Sequence, residues 1–185
     1  MRSLLASILV AGLLLATGCS HGGDPPAVAD PTRTPATSPS IRTGPVAPAL
    51  PAAARRPTKA GAIAFAKYYW AVANYAMASL DTQRLTTLAT AECGQCAGAA
   101  NWIRDVRQAG GRIVGGASHI LSAEASLLHG TRSRWLVELR SREDRSHVVG
   151  AGPRLDRTYP EARATDLMVL IFADSGWKVA SWKSR

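Results

Sequence analysis

The 185-residue chain has little cysteine, few histidines and no apolar run long enough for an ordinary membrane-spanning helix. Its main apolar run, residues 3–15, is shorter than the ~20 residues that such a helix needs. His119, His129 and His147 have no HxH or HExxH spacing, and the one CxxC pair has no second pair at zinc-ligand spacing. No Ser-His-Asp order can be assigned from these histidines either. The sequence therefore predicts no metal site and no cofactor.

The first nineteen residues have the pattern of a bacterial lipoprotein signal. Arg2 provides a positive start, the apolar run follows, and Ala16-Thr17-Gly18 places small residues directly before Cys19. We therefore predict that residues 1–18 are a cleaved signal peptide and that Cys19 is the lipidated first residue of the mature chain. An ordinary secretory signal and an uncleaved anchor are the alternatives. The predicted location is the extracytoplasmic face of the cell membrane.

Residues 20–57 are rich in Pro, Ala, Thr, Ser and Gly and hold nine of the eleven prolines. No apolar face recurs in this stretch, so it cannot bury enough surface to offset the entropy of ordering. We predict that residues 19–57, which begin with the lipidated cysteine, form a disordered tether. Residues 58–185 have the size of one domain with one hydrophobic core.

The charge of the chain is positive but dispersed. The formal net charge is +9 at pH 7, and no aromatic–basic recognition motif accompanies it. A nucleic-acid role is not expected outside the membrane, whereas anionic lipids or wall polymers attract a basic surface. The predicted partners are the membrane, through the N-terminal lipid, and a cell-wall component or a protein.

Three helices are predicted at the start of the domain. Thr58 can cap a helix over residues 59–79, in which apolar residues recur at helical spacing. Asp81 can cap a short second helix. A third helix is predicted over residues 96–108, where a pair of glycines follows it.

The sequence then changes to the pattern of antiparallel strands. The main predicted strands are residues 112–114, 118–128, 134–142, 167–173 and 177–182. The third alternates, with Trp135, Val137 and Leu139 on one face. In the last strand, the same alternation puts Trp177 and Trp182 on opposite faces. Helices followed by antiparallel strands predict an α+β layer fold.

Several segments resemble a family of functionally undescribed actinobacterial lipoproteins. The segments are AFAKYYWAVANYAMASLD, LTTLATAECGQC, NWI and GGRIVGG within residues 60–116, and the closing GWKVASW. The order of elements is similar to the cone-shaped fold of nuclear transport factor two, SnoaL and ketosteroid isomerases. This resemblance implies three N-terminal helices packed on a curved antiparallel sheet, and a homodimer through the open sheet face with Trp135, Trp177 and Trp182 as contact residues. It implies no activity, because fold does not give function.

The most specific local motif of the domain is Cys93-Gly94-Gln95-Cys96. Once Cys19 is assigned to lipid, these two cysteines form an even pair, which in an oxidising compartment indicates a disulfide. A thioredoxin-like redox pair has the same spacing, but such sites follow a strand in a β-α-β context, and here two helices precede the pair. A structural disulfide is the prediction, and a redox role is the alternative.

The first helix also carries the residues that we take as a candidate pocket, Tyr69, Asn74 and Tyr75. Aromatic rings at helical spacing usually fill a core, but on a helix that faces a concave sheet some of them would line a cavity. Asn74 either is satisfied by the backbone or faces a ligand. Four carboxylates lie near the predicted strands or the third helix: Asp105, Glu124, Glu138 and Asp166. Their neighbours favour none of them, so the catalytic residues are unknown.

Three hypotheses for the function follow. The absence of a catalytic constellation favours a lipid-anchored, non-catalytic binding or interaction module of unknown ligand. The alternatives are a small-molecule enzyme of the isomerase or cyclase type that uses the pocket, and a CxxC redox protein.

Overall fold

The computed structural model of the chain describes residues 44–185. The predicted signal peptide, the predicted lipidation site Cys19 and the first part of the predicted tether lie outside the described residues. Among the helices of residues 44–185, none is both long and apolar enough to cross a membrane. Residues 44–185 lie within one compact unit.

Helices come first in this unit. They are a 3-10 turn at Ala52–Arg55, α1 at Lys59–Ser79, α2 at Gln83–Thr87 and α3 at Gly94–Gln108. The predicted start of α1 is confirmed, since Thr58 Oγ1 accepts a hydrogen bond from Gly61 N at 3.1 Å. Asp81 accepts a hydrogen bond from Gln83 N at 3.0 Å and so satisfies a free amide at the start of α2.

Within residues 44–185, seven strands follow the helices. They are β1 (Arg112–Gly115), β2 (Ser118–Leu127), β3 (Arg134–Glu143), β4 (Ser146–Val149), β5 (Arg157–Tyr159), β6 (Ala162–Ala173) and β7 (Gly176–Ser184). The strands form two antiparallel sheets, with the orders β1-β4-β5 and β2-β3-β6-β7. The predicted fold class, α+β with three helices on a curved, SnoaL-like sheet, is therefore wrong. Two sheets replace the single one, and strand residues outnumber α-helical residues.

The two sheets arise because the chain changes sheet at three points, of which two lie side by side and the third, residues 160–161, leads from β5 into β6. Gly115 and Gly116, with φ of 76° and 80°, turn the chain from β1 into β2. Residues 144–145 turn it back from β3 into β4. Gly116 N donates a hydrogen bond to Arg145 O at 3.1 Å, which fastens the two points together. The glycine pair predicts a break in the strand, but it does not reveal that the strands on either side pair with different partners.

The core lies between the helices and the inward face of the four-stranded sheet. The predicted alternation of β3 is confirmed, because Val137 and Leu139 are fully buried and Trp135 is partly buried. On the neighbouring strand, Met168 and Leu170 face the same way and are also fully buried. This continuous apolar face holds the helices on the sheet by removing apolar surface from water.

A β-bulge in β7 reverses the facing of its last residues. Ala180 has no partner on β6, so two residues of β7 oppose a single step of the neighbouring strand. The extra residue brings Trp182 to the same face as Trp177, although simple alternation put the two rings on opposite faces. The ring of Trp182 consequently reaches α1, where it forms a T-shaped pair with Trp70 at a centroid distance of 5.1 Å.

Part of the predicted tether lies against the domain. Ala54 in the 3-10 turn is 2% exposed. Arg56 O accepts a hydrogen bond from Trp177 Nε1 at 3.2 Å, and Pro48 O accepts one from Arg84 Nη1 at 2.6 Å. These contacts extend the folded unit before the predicted boundary at residue 58, because backbone carbonyls in a proline-rich segment can still be bound by side chains of the domain.

Candidate functional site

A cavity of about 360 Å³ lies between the helices and the two sheets. This volume is in the range of small-molecule sites, which are usually concave and mostly apolar. Five aromatic side chains form much of its wall: Tyr69, Trp70, Trp102, Tyr159 and Trp182. Apolar side chains of all three α-helices, such as Met77, Leu85 and Ile103, complete the lining.

The aromatic wall is assembled from elements that are far apart in the chain. Tyr69 and Trp70 lie on α1, and the bulge in β7 adds Trp182 beside them. On the other side, Trp102 of α3 and Tyr159 of β5 form a T-shaped pair with ring centroids 6.0 Å apart. Edge-to-face pairs of this kind fix ring orientation, so the wall has a defined shape.

Glu143 is the carboxylate of this wall that has no partner. It is the last residue of β3, is half-buried, and makes no ion pair or side-chain hydrogen bond among residues 44–185. Burial raises the pKa of Glu143, and the charge of Asp166 raises it further. The Glu143 carboxyl therefore keeps its proton to a higher pH than an exposed glutamate does.

Asp144, the second carboxylate of the wall, is already compensated. Its Oδ2 lies 2.7 Å from His119 Nε2, and its Oδ1 lies 3.3 Å from Arg142 Nη2. The hydrogen bond with His119 holds the pKa of Asp144 below its ordinary value, and the nearby cations add to the effect. Adjacent residues in the chain thus carry one paired and one unpaired carboxylate.

Asp166 is fully buried between the strands behind the cavity. Its Oδ1 accepts a hydrogen bond from Trp182 Nε1 at 2.9 Å, and its Oδ2 accepts one from Ser141 Oγ at 3.2 Å. These bonds tie β3, β6 and β7 together and hold the Trp182 ring in the cavity wall. Asp166 is therefore a positioning residue, and it does not line the cavity itself.

The structure separates the three residues of the predicted pocket. Tyr69 lines the cavity, and its burial raises the pKa of its hydroxyl to about 12. Asn74 does not line it: Asn74 Nδ2 donates to Ser118 O and Asn74 Oδ1 accepts from Ser118 N, both at 2.9 Å. Asn74 is thus satisfied by the backbone and joins α1 to β2. Tyr75 also lies outside the lining.

The other carboxylates considered from the sequence, Asp105, Glu124 and Glu138, are exposed and lie away from the cavity wall. The sequence reasoning missed Glu143, although a signal was present. Continuing the alternation of β3 past Leu139 places both Ser141 and Glu143 on the inward face. The predicted strand ended at residue 142, one position too early.

The CxxC motif forms the predicted disulfide. Cys93 and Cys96 are joined by an S–S bond of 2.00 Å at the start of α3, which confirms the structural prediction. Their exposures are 1% and 4%. Thiol–disulfide exchange needs a sulfur that an incoming thiol can reach, so this burial disfavours the redox alternative. In the part of the chain that the structure describes, no group of three His, Cys, Asp or Glu residues is placed to hold a metal ion.

The tryptophans expected at a dimer contact are used inside the domain. Trp177 is 3% exposed and packs against Phe65 and Phe172, with ring centroids 6.3 and 5.0 Å away. Trp182 lines the cavity, and Trp135 is partly buried and packs against Trp177. The expectation that Trp177 offers a contact surface is wrong, because its side chain lies on the inward face of β7 and is buried in the core.

Comparison with known proteins shows the fold and the family of this chain. No curated protein matches it significantly. The intermembrane-space region of the chloroplast protein ARC6 has a TM-score of 0.54 and 14% identity, over 70% of this chain and 97% of that one. A protein from Novosphingobium aromaticivorans, provisionally named an aromatic ring hydroxylase, has a TM-score of 0.48 and 9% identity, over 64% of this chain and 84% of that one. The ARC6 region, whose fold this chain resembles, is not a SnoaL protein, which corrects the SnoaL-like assignment made from the sequence. The model of a family of unknown function, DUF6318, matches residues 32–183, and the chain belongs to that family.

Proposed function

We propose that this protein is a lipid-anchored, extracytoplasmic module that binds a small, largely apolar molecule in its cavity without converting it. The observation that carries the proposal is the cavity of about 360 Å³ with an aromatic wall. Filling such a cavity with an apolar ligand removes apolar surface from water on both partners, which favours binding.

The binding proposal is tested by filling the cavity from α3. Ala99 lines the cavity, whereas Ala97 is exposed on the same helix. We expect A99W to weaken the binding of phenylbutanol by about tenfold or more, because the indole occupies the ligand's space, and A97W to change it by less than about twofold. The measurement is titration calorimetry on the full chain in nanodiscs of zwitterionic lipid, with empty nanodiscs as the baseline. Equal binding by the two variants would mean that the cavity is not the binding site.

The anchor in this proposal is supported by the sequence of residues 1–19. We expect the full chain, expressed in a bacterium, to incorporate labelled palmitate and to fractionate with the membrane. C19S should lose the label, whereas a chain with both Cys93 and Cys96 changed to serine should keep it, because those sulfurs are in the disulfide. A full chain that takes up no label would remove the anchor from the proposal.

Acid–base catalysis in the same cavity is a second candidate, favoured by the raised pKa of Glu143. Tyr69, which stays protonated because its pKa is about 12, is a hydrogen-bond donor in the same wall. Mass spectrometry and NMR of the molecule recovered after binding distinguish the two functions. An unchanged molecule supports binding, whereas conversion that stops in E143Q supports catalysis.

A further inference from the structure

We propose that the cavity selects small organic cations, that is, amines or quaternary ammonium compounds with an apolar body. This inference rests on the binding function proposed above and names the chemical class of its ligand. It is carried by three features of the cavity wall: the sign of its charges, the unpaired carboxylate of Glu143, and the aromatic rings that line the cavity.

The charge of the cavity is opposite to the charge of the chain. The chain has a formal net charge of +9. Among the described residues that line the cavity, however, the charged side chains are Glu143 and Asp144, and none is Lys, Arg or His. His119 and Arg142 compensate Asp144 from outside the lining, so the uncompensated charge that a ligand meets inside the cavity is that of Glu143. An anion there would lose its hydration without gaining a cationic partner from the lining, which is costly.

Glu143 is the group that would meet the cationic end of the ligand. The two oxygens of Asp144 face His119 and Arg142, and those of Asp166 face Trp182 and Ser141. Glu143 alone of these carboxylates has no partner among residues 44–185. A half-buried, unpaired carboxylate costs desolvation free energy, and an ammonium group placed beside it would recover that cost through a charge-assisted hydrogen bond.

The aromatic wall suits the same ligand. Tyr and Trp rings attract cations over their faces, and several such rings around one site form the cages that recognise quaternary ammonium groups. Here two tyrosines and three tryptophans line one cavity. The same rings give the apolar body of the ligand its contact area, so charge and apolar surface can be recognised together.

The test compares three molecules with one apolar body and different charge: phenylbutylamine, phenylbutanol and phenylbutyrate. Each is titrated by calorimetry near neutral pH into the full chain in zwitterionic nanodiscs, and binding that survives A99W is counted as outside the cavity. We expect the ammonium compound to bind about tenfold or more tightly than the alcohol, and the carboxylate to bind most weakly.

A matched pair of variants assigns the selectivity to Glu143. E143Q removes the carboxylate of the wall, whereas E138Q makes the same change on the outward face of the same strand, where Glu138 is exposed. E143Q should weaken amine binding by about tenfold and so reduce the preference for the amine over the alcohol, with both molecules titrated into the same variant. E138Q should change neither.

The outcomes separate this inference from the function on which it rests. If the alcohol binds in the cavity at least as tightly as the amine, or if E143Q leaves amine binding unchanged, the cation inference is overturned and the binding function stands. If none of the three molecules binds in the cavity at millimolar concentration, the binding function itself is overturned, and the inference with it.

Discussion

Replacing Gly115 with alanine is expected to lower the free energy of unfolding by about 3 kcal/mol or more. Gly115 has φ of 76°, a left-handed conformation that costs alanine about 1–2 kcal/mol. A Cβ at this position would also lie 2.3 Å from Arg145 O, which is a backbone atom. Because Gly115 of β1 pairs with Ser146 of β4, the residue that follows Arg145, relieving the clash requires β1 to move away from the start of β4.

Gly130 provides the control for this prediction. It lies in the loop between β2 and β3 with φ of 74°, and a Cβ there would have no atom within 4 Å. G130A therefore carries the conformational cost without the clash, and should lower the free energy of unfolding by about 1 kcal/mol. Urea denaturation of both variants measures the difference. If both variants lost the same free energy of unfolding, the contact of a Cβ at position 115 with Arg145 O would add nothing to the cost of G115A.

Replacing Asp166 with alanine is expected to lower the free energy of unfolding by about 2–4 kcal/mol. The change leaves the buried Ser141 Oγ and the part-buried Trp182 Nε1 without the carboxylate that accepts from both. It should also weaken ligand binding, because the Trp182 ring loses the hydrogen bond that holds it in the cavity wall. Urea denaturation and phenylbutanol titration measure the two effects.

Two variants bracket the effect of Asp166. S141A removes one donor but keeps the bond from Trp182, so we expect a loss of about 1 kcal/mol and normal ligand binding. D166N keeps one acceptor oxygen and should fall between S141A and D166A. If D166A were no less stable than S141A, the pairing of Trp182 with Asp166 would not be a stabilising feature of the fold.

The features that were predicted correctly depend on residues close together in the sequence. Thr58 caps α1 because its hydroxyl reaches an amide three residues away. The facing of Trp135, Val137 and Leu139 follows from the two-residue repeat of a strand. Cys93 and Cys96 lie within one helical turn, where a bond between them needs no distant element. Glu143 was missed but could have been predicted in the same way, since one more step of the β3 alternation places it on the inward face.

The sequence by itself determined the cap of α1, the main strand segments, the facing of β3 and the disulfide, because each depends on local backbone geometry. Only the tertiary structure decided the division into two sheets and the placing of Trp182 in the cavity. Both depend on pairing: Gly115 and Gly116 separate strands that bond to different partners, and the bulge at Ala180 exists only against β6. The same holds for Asn74, whose partner Ser118 is 44 residues away. Contacts at such separation leave no periodic signal in the chain, because they form only when the whole core is assembled.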